Sequence, residues 1–150
     1  MKAVVQRVKY ASVTVDDVKI SEIKQGVLLL LGVANQDTTE DIVWLSKKIA
    51  NLRIFNDENN VMNKSLIAVD GEAIVVSQFT LQASTKKGNR PSYLRAAKPE
   101  LAIPMYEAFV KQFEKELGKK VGTGEFGADM KVELLNDGPV TIIIDTENKI

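Results

Sequence analysis

The sequence contains no histidine and no cysteine. Without cysteine there are no disulfides, no thiolate metal ligands and no thiol nucleophile. Without histidine a Ser-His-Asp or Cys-His arrangement is excluded, and the usual zinc sites lose their main ligand. No side chain titrates near neutrality unless its pKa is strongly shifted. Catalysis must therefore draw on carboxylates, lysine, tyrosine, hydroxyls, main-chain groups or the substrate itself. Long apolar runs are also missing. The longest, Val27 to Ala34 with Gly32 inside it, is far too short to span a bilayer. The first residues, MKAVVQRVKY, lack the apolar centre of a signal peptide. The expectation is a cytoplasmic protein with no membrane partner, no metal and no cofactor.

The 150 residues suit one domain. Hydrophobic residues make up 45% and charged residues 27%, an ordinary balance for a globular chain. Twenty basic and twenty acidic residues cancel, so the bulk charge gives no sign of a nucleic-acid partner. Residues 2–9 alternate as a strand, and Ser12 to Val15 extends the pattern. Val18 to Ile23 can return as a hairpin partner across Asp16-Asp17. The run from Val27 to Val33 is short enough for a strand buried on both faces.

Ile42, Leu45, Ile49 and Leu52 predict a helix over about 39–53, opened by Thr38 or Thr39 and an acidic first turn. Residues 73–81 read as a strand. Pro99 opens a second helix whose stripe is Leu101, Met105, Phe109, Phe113 and Leu117, with Gly118 as its cap. Strands at 130–135 and 140–145 follow, joined by Asn136-Asp137-Gly138-Pro139. About six strands to two helices predicts an α/β chain. It has mixed β-sheets in a barrel-like or layered arrangement, with two main helices packed against them.

Four places can carry chemistry. Ser77, Gln78 and Thr80 interrupt an apolar strand around Phe79. Alternation would put Ser77 and Phe79 on one face and Gln78 and Thr80 on the other. Thr80 can be a nucleophile, a hydrogen-bonding group or simply a good strand former. The Asn136 to Thr141 segment reads as a tight turn. A cis Gly138-Pro139 bond there would make an unusual pair of main-chain acceptors. Between Ala73 and Pro99 stand Lys86, Lys87, Arg90, Arg95 and Lys98, with Tyr93 among them and no acidic residue. Such a stretch is either a solvated loop or a phosphate contact. Arg7 is either an exposed strand residue or an anchor for a carbonyl or phosphate.

Six stretches, in order, resemble the D-aminoacyl-tRNA deacylase family. They are Ala3 to Val8, Asn51 to Phe55, Ser77 to Leu81, Gly88 to Ser92, Gly124 to Met130 and Asn136 to Thr141. Each is modestly specific alone; the ordered set covers nearly the whole chain. The resemblance implies hydrolysis of the ester of D-aminoacyl-tRNA in a homodimer with active sites at the interface. Ser77, Gln78, Phe79 and Thr80 would line one subunit's pocket. Gly138 and Pro139, with a cis bond, would enter the partner's pocket, and Arg7 would support that motif. Phe126 and Met130 look like wall residues, and Ala102 a neighbour of the terminal adenosine. Lys86, Lys87, Arg90 and Arg95 would meet tRNA.

The two carbonyls of the motif would hold the α-ammonium, so a D side chain points outward and an L side chain collides with main chain. Glycine has nothing to collide, so glycyl-tRNA is an expected substrate. The terminal 2′-OH would assist the reaction. Two rival readings are an RNA-binding module without catalysis and a Thr-dependent esterase for small molecules.

Overall fold

The structure, a computed structural model, describes residues 1–149. In chain order it contains β1 (Lys2–Val15), β2 (Val18–Ile23), β3 (Gly26–Gly32), α1 (Thr39–Ala50), β4 (Phe55–Asn56) and β5 (Met62–Lys64). Then come β6 (Glu72–Ser77), a 3-10 turn (Phe79–Gln82), α2 (Pro99–Leu117), β7 (Gly122–Thr123) and β8 (Met130–Asp145). No helix among the described residues is long and apolar enough to cross a membrane.

The long strand β1 organises the sheet. Its first half pairs antiparallel with β3 and its second half with β2. β8 runs antiparallel along the other edge for the whole length. The turn from β1 to β2 uses Asp16 and Asp17, both with positive φ, the backbone form that matches strand twist in a two-residue hairpin. β3, β6 and β7 continue the sheet in parallel, and the curled whole is a nearly closed, barrel-like mixed sheet with two helices. β4 and β5 form a separate small ladder.

Alternation along β3 and β6 separates two cores. Val27, Leu29, Leu31, Ala73 and Val75 join Ile42, Leu45 and Ile49 of α1 and Phe109 and Phe113 of α2. Leu28, Ile74 and Val76 face the inside of the curl with Val8, Ala11, Val13, Val15 and Ile23. The apolar run of β3 is thus buried on both faces, as its brevity predicts. Each such side chain contributes roughly 1.5–3 kcal/mol when fully buried.

Several expectations need correction. α1 stops at Ala50, not near 53, because Asn51 turns out of helical geometry and its Nδ2 donates to the Lys47 carbonyl at 2.9 Å. In α2 the buried stripe is Ala102, Tyr106, Phe109 and Phe113, while Leu101 is exposed. Repeated steps of four drift around a helix of 3.6 residues per turn, so Leu101 leaves the face that Phe109 holds. The strand expected over 73–81 ends at Ser77, and the chain then enters the 3-10 turn. Asn136 to Pro139 does not reverse the chain, because both halves of β8 pair with β1 in one direction. The two strands expected there are one strand with an interruption.

Phe109 is fully buried between sheet and helices. Phe109→Ala should lower the unfolding free energy by about 3–5 kcal/mol in a denaturant titration. A loss under about 1 kcal/mol would contradict this core assignment.

Candidate active site

The parallel strands β3 and β6 end side by side, with Leu31 opposite Ser77. Beyond Ser77 the Gln78 N–H donates to the Leu31 carbonyl at 2.8 Å, and the 3-10 turn begins. Its first bond runs from the Leu81 N–H to the Gln78 carbonyl at 3.3 Å. The N–H groups of Phe79 and Thr80 stand before that bond, as the leading N–H groups of a helical turn do. Gln82 is buried and its Nε2 donates to the Gly32 carbonyl at 2.9 Å, tying the turn to β3. Gly32 must be glycine, since a Cβ there would lie 2.8 Å from the Gln78 carbonyl oxygen.

A cavity of about 290 Å³ opens at these strand ends. Ser77, Gln78, Phe79, Ala102, Phe126 and Met130 line it, so six of the residues singled out from sequence come together. Among the described residues its walls carry no carboxylate, lysine or arginine; the one ionisable group is Tyr106. Thr80 is exposed beside the cavity rather than on its wall, and Gln78 Nε2 donates to its hydroxyl. Among the described residues, the side chain hydrogen-bonded to the Thr80 hydroxyl is thus a donor, not a base.

Phe79 is 54% exposed and meets Tyr93 edge to face at 5.0 Å. The loop between them is pinched by paired main-chain bonds of Ser84 and Ser92, at 2.8 and 2.9 Å. Lys86, Lys87 and Arg90 project from its exposed tip with no ion-pair partner among the described residues. Arg95 differs, because it is paired with Glu147.

Gly138, Pro139 and Arg7 do not line this cavity in their own chain. The Gly138–Pro139 peptide bond is cis, and both residues are exposed. Arg7 is only 7% exposed. Its Nε donates to the Asp137 carbonyl at 2.8 Å and a terminal nitrogen donates to the Ile54 carbonyl at 2.7 Å. Arg7 is therefore a carbonyl anchor, not an exposed strand residue. Gly138 has φ near +145°, and a Cβ there would lie 2.8 Å from the Val140 nitrogen, so both backbone form and space demand glycine.

Sequence reasoning missed Tyr106, which lies on an apolar helix stripe where a tyrosine looks like core. Its hydroxyl donates to the Val75 carbonyl at 2.7 Å, and its ring meets Phe126 at 6.2 Å. Burial pushes its pKa up to about 12, against the opposing N–H of Gly124. A raised pKa means that stability is full below the unfolded value near 10 and declines as pH climbs toward 12. The stability difference between the native chain and Tyr106→Phe should therefore be constant up to about pH 10 and shrink above it. Urea unfolding at stepped pH checks this; a difference that widens above pH 10 would contradict it.

The chain matches the family model described as D-Tyr-tRNA(Tyr) deacylase over residues 4–145. It is 65% identical to the D-aminoacyl-tRNA deacylases of Flavobacterium psychrophilum and Parabacteroides distasonis, with 99% of each chain covered. Among solved structures, a c-Myc DNA unwinding element binding protein matches with TM-score 0.92 and 43% identity, over 97% of this chain and 99% of that one. A probable eukaryotic D-amino acid tRNA deacylase shares the fold, with TM-score 0.83 and 15% identity over 95% and 97% of the two chains. The barrel-like mixed sheet with two helices is the fold of these proteins. The chain belongs to the D-Tyr-tRNA(Tyr) deacylase family.

Proposed function

We propose that this chain hydrolyses the ester of D-aminoacyl-tRNA with the help of the terminal ribose, and rejects L-aminoacyl esters through main-chain carbonyls. Family membership supports ester hydrolysis as the reaction. The observation that carries the ribose-assisted reading is the cavity wall: its only polar side chains among the described residues are Ser77, Gln78 and Tyr106, with no carboxylate or amine. A protein base is thus missing where the ester would sit. In place of that base, the 2′-OH of the terminal adenosine orients the water that attacks the ester carbonyl and relays its proton to the ribose 3′-oxygen as the ester C–O bond breaks, and the N–H groups of Phe79 and Thr80 stabilise the oxyanion that forms in between. One such donor contributes about 2.7–4 kcal/mol in other hydrolases.

Stereochemical selection belongs to a second copy of the chain. Gly138 and Pro139 are exposed and do not line their own cavity, which suits a motif that serves a partner. In a homodimer their carbonyls would accept hydrogen bonds from the substrate α-ammonium. With the amine and ester both fixed, only one direction at the α-carbon is free for a side chain. An L side chain would run into the Gly138–Pro139 main chain; glycine would pass. Lys86, Lys87 and Arg90 would neutralise phosphates of the tRNA, with Phe79 and Tyr93 beside the entrance. Ala102 would border the terminal adenosine, and Phe126 and Met130 would wall the cavity.

Single-turnover hydrolysis of D-tyrosyl-tRNA tests the mechanism. Thr80→Ala should keep its rate within about tenfold of the native chain, the cost of one ordinary hydrogen bond. A loss of several orders of magnitude with binding intact would assign Thr80 as nucleophile. A 2′-deoxy terminal adenosine should abolish hydrolysis, and full activity on it would exclude ribose assistance. Replacing Lys86, Lys87 and Arg90 together by alanine should lower the slope of log kcat/KM against log salt by about 2 to 3. An unchanged slope would remove this loop from the tRNA contact.

A further inference from the structure

Where β8 passes Arg7, the ladder loses its one-to-one register. Gln6 pairs with Thr141 and Val8 pairs with Asn136. One residue of β1 therefore stands opposite four of β8, Asp137 to Val140. Such an interruption frees main-chain donors and acceptors that a ladder would otherwise satisfy. Arg7 takes the Asp137 carbonyl at one side of the excursion. At its neck the side chain of Asn136 does the rest. Its Oδ1 accepts the Val140 N–H at 3.0 Å, and its Nδ2 donates to the Val140 carbonyl at 3.1 Å. The same Nδ2 reaches Thr141 Oγ1 at 3.4 Å.

This carboxamide satisfies both main-chain groups of Val140, as a neighbouring strand would. Val140 is itself anchored, with its side chain buried in the core. The neck from Asn136 to Val140 is closed, and Asp137, Gly138 and Pro139 form the loop beyond it. The tip residues Gly138 and Pro139 have no ladder partner and are exposed. Two side chains thus hold the ends of this loop, Arg7 on the Asp137 side and Asn136 on the Val140 side.

We infer that Asn136 is a positioning residue for stereoselectivity: its carboxamide clasps the neck of the loop and so aims the Gly138 and Pro139 carbonyls. The inference rests on the reading that those carbonyls choose between D and L substrates. An asparagine is needed because one group must both accept from an N–H and donate to a C=O at a spacing of four residues. Aspartate keeps the acceptor but turns a carboxylate oxygen toward the Val140 carbonyl. Alanine removes both bonds and leaves the Val140 groups unpaired.

The experiment compares kcat/KM for D-tyrosyl-tRNA with that for L-tyrosyl-tRNA in the native chain, Asn136→Ala, Asn136→Asp and Pro139→Ala. Phe113→Leu, at a buried α2 position that lines neither the cavity nor the loop, serves as a stability control. In both Asn136 variants the D-to-L ratio should fall about tenfold or more, the effect of roughly one net hydrogen bond on the aim of the clamp. Phe113→Leu should lose thermal stability with its ratio unchanged, which separates aim from general loosening. Exchange of the Val140 amide with solvent should quicken in Asn136→Ala, a readout that needs no catalysis. A D-to-L ratio within about twofold of native in both Asn136 variants overturns the inference whatever Pro139→Ala does. A ratio unchanged in Pro139→Ala overturns the carbonyl reading, and this inference with it. A ratio that falls in Pro139→Ala but holds in the Asn136 variants removes Asn136 alone.

Discussion

The guanidinium of Arg7 holds the point at which β1 and β8 fall out of register. It is nearly buried and donates to the Asp137 carbonyl on one side and the Ile54 carbonyl on the other. The Asp137 carboxylate lies 3.7 Å from Arg7 Nε and supplies a counter-charge, so this buried cation is stabilised while those acceptors stay in place. The long ladder of β1 with β8, the segment after α1 and the exposed Gly138–Pro139 tip are therefore tied to one side chain. If Arg7 were apolar, the Asp137 side of the excursion would lose its anchor and only the Asn136 bonds to Val140 would hold the three extra residues of β8.

A chain without histidine or cysteine can still present well-placed polar groups, provided that main chain is released from sheet pairing in a controlled way. That happens twice here. At the end of β6 the chain leaves the strand for a 3-10 turn, and the N–H groups of Phe79 and Thr80 precede its first bond beside the cavity. Within β8 four residues face one, and the carbonyls of Gly138 and Pro139 come free at an exposed tip. Both sites are braced by side-chain amides: Gln82 on the Gly32 carbonyl and Asn136 on Val140. Donors at one site and acceptors at the other fit the two polar ends of an aminoacyl ester, its carbonyl and its ammonium. Main chain is a suitable material for such selection because it cannot rotate away from a colliding side chain.

Much of this was legible in the residues. The two-sided burial of β3 followed from its short apolar run, and the Asp16-Asp17 hairpin from its position between alternating segments. Pro99 and Gly118 marked the ends of α2. Of the cavity residues, Ser77, Gln78 and Phe79 stand out at a polar interruption of an apolar strand, whereas Ala102, Phe126 and Met130 are legible only through the resemblance. Other features were not legible. Strand periodicity carried through Ser77 to Leu81, although Gly32 and the buried Gln82 draw that segment into a turn on β3. Asn136 to Pro139 has the composition of a reverse turn, and only pairing with β1 on both sides shows that the chain continues. Tyr106 reads as core because its ring is core; its hydroxyl bond to the Val75 carbonyl depends on how α2 lies over β6.

The account requires that one subunit's Gly138–Pro139 tip completes the other subunit's cavity. Mixed dimers test this most directly. One chain carries Ala102→Trp, which fills its cavity and keeps its tip; the other carries Pro139→Ala, which keeps its cavity and alters its tip. After unfolding, mixing and refolding, hydrolysis of D-tyrosyl-tRNA should exceed the sum of the two parent proteins, because mixed dimers contain one intact cavity facing one intact tip. A rate equal to that sum, with mixed dimers shown to have formed, would contradict a site built from two chains.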